Sequence, residues 1–252
     1  MPSEAQPEYS ASELAIVSAV NGATFEQRAY DLFDELQFSY PVNYSHARFI
    51  WAAENRNVEA LKAQLQTSIP DSIKTLALHQ TISSWKFECC QLLLDNGADP
   101  DGRDIDGYTP LTHAAYKFEV EVAGLLHSYG ADIELANRWG QQPLFVACAS
   151  QYNNSSENLV QKRLNMVALL MGRGADVNAV DDEGSTPLHF AVASAKDVEL
   201  VRLLLQFGAG NVTDNFGSTP LQLAEKHCLA ELVELLRNTQ RLNPHTKKGN
   251  YP

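Results

Sequence analysis

Side chains that could transfer protons are concentrated in the middle of the sequence. The set comprises Asp106, Tyr108, His113, Tyr116 and Arg138. General acid–base catalysis requires donors, acceptors and a cation of these types within a few ångströms of one another. The set is consistent with a small-molecule site or with a cofactor-free enzyme of the isomerase or cyclase type.

The motifs that usually accompany enzymes are missing from the sequence. It contains no P-loop, no Gly-x-Gly-x-x-Gly, no Gly-x-Ser-x-Gly and no His-Glu-x-x-His. Cys89 and Cys90 are adjacent whereas Cys148 and Cys228 are isolated, so no Cys-x-x-Cys pair could bind zinc. We therefore expect buried thiols, no metal ion and no cofactor, and we favour a function other than catalysis.

The composition indicates a folded, acidic protein. The 252 residues include 31 acidic and 19 basic side chains, for a net charge of −12, and 44% of the residues are apolar. This apolar share is too high for an intrinsically disordered chain, and the negative charge disfavours nucleic acid as a partner. Apolar runs are far shorter than the roughly 20 residues that span a bilayer, and the N-terminus does not resemble a secretory signal. We expect an intracellular protein, cytoplasmic or nuclear, that does not enter a membrane.

Two short motifs recur along the chain in a common phase. A Pro-Leu pair follows Thr109, Gln142, Thr186 and Thr219. A Gly-Ala pair begins at Gly97, Gly130, Gly174 and Gly208. The prolines are separated by 33, 44 and 33 residues, which indicates a repeat protein with a period of 33. Asp99, Asp132 and Asp176 follow the same period, so each is expected to stabilise a turn rather than to bind a metal.

The residue types predict one pair of helices in each period. Thr109 can cap a helix with its hydroxyl, and Pro110 suits the first helical position because no N–H donor is needed there. Gly130 can end the second helix in the left-handed conformation. A single pair cannot bury its own apolar face, so its stability must come from neighbouring pairs that stack on it.

These motifs resemble the ankyrin repeat. Its D-x-x-G-x-T-P-L-H-x-A-A opening and its L-L-x-x-G-A-D-V-N close are nearly intact from Asp181 to Gly208 and from Leu169 to Asn178. The resemblance extends over residues 71–238 and implies an all-α solenoid of helix-turn-helix units with short extended turns. It also implies that His189 hydrogen-bonds turns of adjacent units. His113 lies one residue further along its helix, and we expect it to be buried or to line the groove.

The repeats divide the chain into three regions. Residues 1–44 are expected to form an N-terminal helical cap, because Thr24 to Phe38 has apolar residues at helical spacing. Residues 45–238 are expected to form the solenoid, with about six units of which the outer ones are degenerate, and residues 239–252 a basic flexible tail. The insertion at 151–163 is polar and should form a surface loop, either a recognition element or tolerated variation.

Partner recognition is expected at positions that the repeat leaves free. By analogy with the family, these positions lie at the turn tips and on the exposed face of each first helix, where they line a concave groove. The residues are Ile105, Asp106, Tyr108, Tyr116, Lys117, Arg138, Trp139, Gln141, Asp182, Glu183 and Phe216. Trp, Tyr and Arg are the types most enriched at binding hot spots.

The free positions favour one class of partner. Tyr108, Tyr116 and Trp139 could form an apolar patch, flanked by the acids Asp101, Asp104, Asp106, Asp181, Asp182 and Glu183. We expect a monomer that binds a protein or peptide with an apolar anchor and basic flanks, and a small molecule is the alternative ligand. The aromatic rings could instead pack on neighbouring turn tips of the same chain, and the carboxylates could be only a solvated rim.

Overall fold

The computed structural model describes residues 44–55, 57–82, 87–104, 106–149, 157–193 and 198–242. Within these ranges the chain forms twelve α-helices and no β-strand. The helices are α1 (Tyr44–Glu54), α2 (Val58–Leu65), α3 (Asp71–Ile82), α4 (Phe87–Asp95), α5 (Pro110–Lys117), α6 (Val120–Ser128), α7 (Pro143–Ala149), α8 (Glu157–Gly172), α9 (Pro187–Ala193), α10 (Val198–Gln206), α11 (Pro220–Lys226) and α12 (Ala230–Leu242). The predicted helix at Thr24–Phe38, Ile105 and residues 151–156 of the polar insertion lie outside the described residues. The rest of the insertion, predicted as a surface loop, is instead the start of α8, because Leu159 packs against the hydrophobic core.

The helices are arranged in six consecutive pairs that stack into two rows. Each first helix (α1, α3, α5, α7, α9 and α11) contacts the first helix of the next pair, and each second helix contacts the next second helix. One hydrophobic cluster extends from Phe49 in α1 to Leu236 in α12. The pairs therefore share a continuous interior, and the predicted all-α solenoid is confirmed.

The first helices begin where the Thr-Pro motifs predict. Thr109 is extended, and its hydroxyl accepts a hydrogen bond of 3.2 Å from the backbone N–H of Thr112. Thr219 and Gln222 form a reciprocal capping box at the start of α11. These caps supply partners for N–H groups that no helical carbonyl reaches, and each stabilises the fold by about 1 kcal/mol.

The second helices end at the predicted glycines. Gly130 has a φ of 90°, and a Cβ atom there would meet nothing within 4 Å, so backbone conformation alone explains the glycine. The following residue, Ala131, donates its N–H to the carbonyl of Leu126 at 3.0 Å, which closes the end of α6. The chain is thereby redirected towards the next turn tip.

The last helix corrects one predicted boundary. Residues 239–252 are predicted as a flexible tail, but α12 continues to Leu242. Leu232 and Leu236 are buried one helical turn apart and hold this helix against the core, and the Thr239 hydroxyl donates to the Leu235 carbonyl at 3.0 Å. Residues 243–252 lie outside the described residues.

Candidate functional site

A single side-chain oxygen folds each of the four turn tips, the hairpins that precede α5, α7, α9 and α11. Asp104 Oδ1 accepts from the backbone N–H groups of Asp106 and Tyr108 at 2.9 and 2.8 Å. The equivalent oxygens of Asn137, Asp181 and Asp214 make the same pair of bonds in the next three tips. Asp104 and Asp181 therefore stabilise their turn tips through these bonds. Both were predicted among the acids that flank the patch.

Backbone hydrogen bonds join the four turn tips into a row. Arg138 N donates to Asp106 O at 3.1 Å, and Asp182 N donates to Trp139 O at 3.1 Å. Asn215 N donates to Glu183 O at 2.9 Å. Because every tip is fixed to its neighbour, the side chains along the row have a backbone that is ordered before any partner arrives.

A second row of carboxylates confirms the predicted role of the periodic aspartates. Asp99, Asp132 and Asp176 each accept from the backbone N–H two residues ahead at 2.9 Å. Between units, Asp132 N donates to Asp101 Oδ1 and Asp176 N donates to Glu134 Oε1, both at 2.9 Å. These aspartates stabilise turns and connect units.

The structure brings two of the predicted aromatic residues into contact. The ring centroids of Tyr108 and Trp139 lie 5.9 Å apart on adjacent turn tips. These two rings therefore pack on each other within the chain, which is the alternative that the sequence left open. Trp139 nevertheless keeps 48% of its surface exposed, and Tyr116 at the end of α5 keeps 44%. Burial raises the pKa of Tyr108, so its hydroxyl is neutral at physiological pH. We call Tyr108, Tyr116 and Trp139 the aromatic patch.

The remaining predicted residues differ in their surroundings. Asp182 and Glu183 are exposed on the tip next to Trp139, and Phe216 is 73% exposed one tip further on. Gln141 is engaged within its own tip, where its Oε1 accepts from Asn137 Nδ2 at 3.3 Å. The other members lie near the patch: Asp106 and Arg138 on the tips, and Lys117, whose Nζ lies 5.6 Å from the Tyr116 ring centroid.

His189 has the structural role that the resemblance implies. Its Nδ1 accepts from the Thr186 backbone N–H at 3.0 Å, which places the ring proton on Nε2. Nε2 donates to the carbonyl of Ser218, in the next turn tip, at 3.2 Å. Burial lowers the pKa of His189, so the ring is neutral at pH 7 and connects two units.

A polar cluster lies where α3, α5 and the first turn tip meet. His113 Nε2 and Asp104 Oδ2 are 2.8 Å apart, and the His113 ring meets that of His79 edge-on with centroids 5.1 Å apart. His113 is partly exposed rather than fully buried. Partial burial raises the pKa of Asp104, but His113 and the backbone donors outweigh it, so the net shift of the pKa is downward.

His79 is the residue of this cluster that sequence reasoning missed. It is 8% exposed, and burial, followed by the nearby His113, lowers its pKa to about 4. Its Nε2 lies 2.9 Å from the Gly102 carbonyl, whereas Nδ1 is buried without a hydrogen-bond partner. The string Leu76-Ala77-Leu78-His79 matches the spacing of Thr186-Pro187-Leu188-His189 and could have identified it. Leu76 stands in the place of Thr186, so the hydroxyl that would satisfy Nδ1 is missing.

A cavity of about 390 Å³ borders the cluster on the side of α3. His79, Thr75, Asp99 and Arg103 are among the residues that line it. None of the five groups predicted for acid–base chemistry lines this cavity. The cavity therefore does not unite the residues on which the enzyme alternative depends.

Comparison with known proteins agrees with the architecture. A family model described as "Ankyrin repeats (3 copies)" matches residues 49–137, 78–166 and 156–247. "Putative palmitoyltransferase ZDHHC13" of Danio rerio is 28% identical over 206 residues, covering 78% of this chain and 30% of that protein. "Neurogenic locus notch homolog protein 2" of Homo sapiens is 33% identical over 148 residues, covering 58% of this chain and 6% of that protein.

A bacterial relative aligns with this chain over nearly all of its own length. "Putative ankyrin repeat protein YahD" of Escherichia coli is 25% identical over 205 residues, covering 75% of this chain and 94% of that protein. The chain spans less than a third of the zebrafish relative and a small fraction of the human one. Among the described residues, no helix combines the length and apolar character needed to cross a membrane. The family-model matches extend over most of the sequence, and the chain belongs to the ankyrin-repeat family.

Proposed function

We propose that this chain is a non-enzymatic binding module that recognises a protein or peptide through its turn tips and first helices, the face that we take to be concave. Ankyrin repeats typically mediate protein–protein interaction. The observation that carries the proposal is the exposure of Trp139, at 48%, in the middle of a row of hydrogen-bonded tips. A large indole held in water by a fixed backbone is a common anchor of protein interfaces.

Preorganisation supports this choice of surface. Asp182 N holds the carbonyl of Trp139 itself, and Asn137 Oδ1 accepts from the N–H of Trp139 at 3.0 Å. Both backbone groups of Trp139 are thus fixed before binding. A partner would have to order few groups on this side of the interface, so more of the contact energy would remain as affinity.

Charge next to the aromatic patch favours basic flanks on the partner. Asp182 and Glu183 are exposed on the tip beside Trp139, and their carboxylates are part of an overall net charge of −12. Lys or Arg side chains of a partner would be attracted to this side and would accelerate association at low salt. Arg138 is a cation on the Trp139 tip, so we expect the basic flank beside Asp182 rather than beside Arg138.

A comparative pulldown tests the proposal. The wild-type chain, Trp139→Ala and Tyr108→Ala are immobilised, and captured proteins are quantified by mass spectrometry. Phe207→Ala is the matched control, because Phe207 is also a large exposed aromatic residue but follows the second helix α10. We expect partners that are lost with both tip variants and kept by the control. Capture that is unchanged by both tip substitutions would exclude this surface.

We also propose that the chain is a monomer and that it is located in the cytoplasm or the nucleus. Cys89, Cys90 and Cys148 are buried as expected, whereas Cys228 is exposed. An exposed free thiol at Cys228 fits a reducing compartment. Analytical ultracentrifugation of the purified chain and imaging of a tagged copy in cells would test the two statements separately.

A further inference from the structure

The cluster between α3, α5 and the first turn tip does not follow the repeat. The positions that correspond to His113 in the next three units are Val146, Phe190 and Leu223, which offer no ligand atom. A solenoid uses its periodic positions for structure, so a polar group confined to one interface needs an explanation of its own. In addition, a buried ring nitrogen of His79 lacks a hydrogen-bond partner, which is unfavourable in a folded protein.

We propose that His79, His113 and Asp104 form a binding site for a divalent transition-metal ion of the zinc class. One ring nitrogen of each histidine and one carboxylate oxygen of Asp104 lie within 4.8 Å of one another. In a tetrahedral zinc site with bonds of about 2.0 Å, ligand atoms are about 3.3 Å apart, so a modest approach of the side chains completes the set. Two imidazoles and a carboxylate are a recurring donor set for such ions.

The supporting contacts are those that orient metal ligands. Asp104 Oδ1 is held by the N–H groups of Asp106 and Tyr108, which leaves Oδ2 for the cluster. His79 has Nε2 on the Gly102 carbonyl and Nδ1 unused. An imidazole with one nitrogen on a backbone carbonyl and the other available is the usual arrangement of a metal-binding histidine.

In the ion-free protein, two of the proposed ligands are hydrogen-bonded to each other, and this bond limits the metal affinity that we expect. His113 Nε2 and Asp104 Oδ2 already form a hydrogen bond of 2.8 Å, and an ion must replace it. The side chains of His113 and Asp104 are 31% and 14% exposed, so an ion can reach the cluster from solvent. We therefore expect the chain to fold without the metal and to bind the ion reversibly.

The decisive variant is Asp104→Asn. Asn137 occupies the equivalent position in the next tip and folds it with the same two bonds, so an asparagine at 104 preserves the turn while removing the carboxylate. The matched control is Asp181→Asn, which makes the same change in a tip whose position corresponding to His113 is Phe190. Both variants are made in a Cys228→Ser background, because that exposed free thiol could bind zinc elsewhere.

Zn²⁺ is titrated by calorimetry into the full chain after treatment with EDTA. We expect one equivalent to bind to the Cys228→Ser protein and to the Asp181→Asn control, and affinity to fall by about 10-fold or more in Asp104→Asn. His79 and His113 ring signals should shift together in ¹H–¹⁵N spectra as Zn²⁺ is added. Absence of stoichiometric binding, equal affinity in the two Asn variants, or shifts confined to other histidines would overturn the proposal.

Discussion

Replacement of Gly140 by alanine should test how closely the turn tips pack. Gly140 has a φ of 74°, and a Cβ atom there would lie 2.9 Å from Asp182 N and 2.7 Å from Asp182 Oδ1. Asp182 N is the donor that holds the Trp139 carbonyl at 3.1 Å. The methyl group must therefore displace backbone, and the hydrogen bond between the two tips should lengthen or break.

The structure offers a control that separates strain from this clash. Gly217 has nearly the same conformation, with a φ of 79°, but a Cβ atom there would meet nothing within 4 Å. Gly217→Ala should cost about 1 kcal/mol of unfolding free energy from the left-handed conformation alone. Gly140→Ala should cost about 2 to 3 kcal/mol of unfolding free energy. The same backbone cost applies, and to it are added about 1 kcal/mol for the lost hydrogen bond and the cost of displacing the tip.

The assay is equilibrium unfolding in urea, followed by far-ultraviolet circular dichroism of both variants beside the wild type. Linear extrapolation gives the unfolding free energies, and the slope checks that the exposed surface is comparable. Equal destabilisation by the two substitutions would refute the account of hydrogen-bonded, closely packed tips.

Two further predictions concern pH and capping. Burial lowers the pKa of His189, so below its ordinary value of 6.5 the unfolded chain binds protons that the folded chain does not, and stability should fall as pH decreases from 7 to 5. His189→Gln should reduce that fall in urea titrations at several pH values without abolishing it, because His79 acts in the same direction. Thr219→Ala should lower the unfolding free energy by about 1 kcal/mol through loss of the capping box with Gln222, whereas no change would contradict the cap.

Much of the fold follows from spacing in the sequence. Thr-Pro and Gly-Ala act through local backbone chemistry, so Thr109 and Gly130 locate a helix start and a helix end without knowledge of neighbours. The role of His189 was also predictable, because its partners occupy fixed positions in adjacent repeats.

Other features depend on distances between units, which spacing does not determine. The sequence predicts Asp104 and Asp181 among the acids that flank the aromatic patch, yet their bonds to backbone N–H groups follow from the fold of each tip. His79 lies in a unit without the Thr-Pro motif, where α3 begins at Asp71 and Leu76 replaces the capping threonine. Its proximity to His113 arises only when α3 packs on α5.

The proposed function can be tested most directly by measuring affinity for a partner recovered in the pulldown. Isothermal calorimetry with Trp139→Ala should show a loss of about 2 kcal/mol or more, roughly 30-fold in Kd. Phe207→Ala should bind like the wild type, and far-ultraviolet circular dichroism should show that all three proteins are folded under the conditions of the binding assay. A Trp139→Ala protein that binds as tightly as the wild type would contradict recognition through the turn tips.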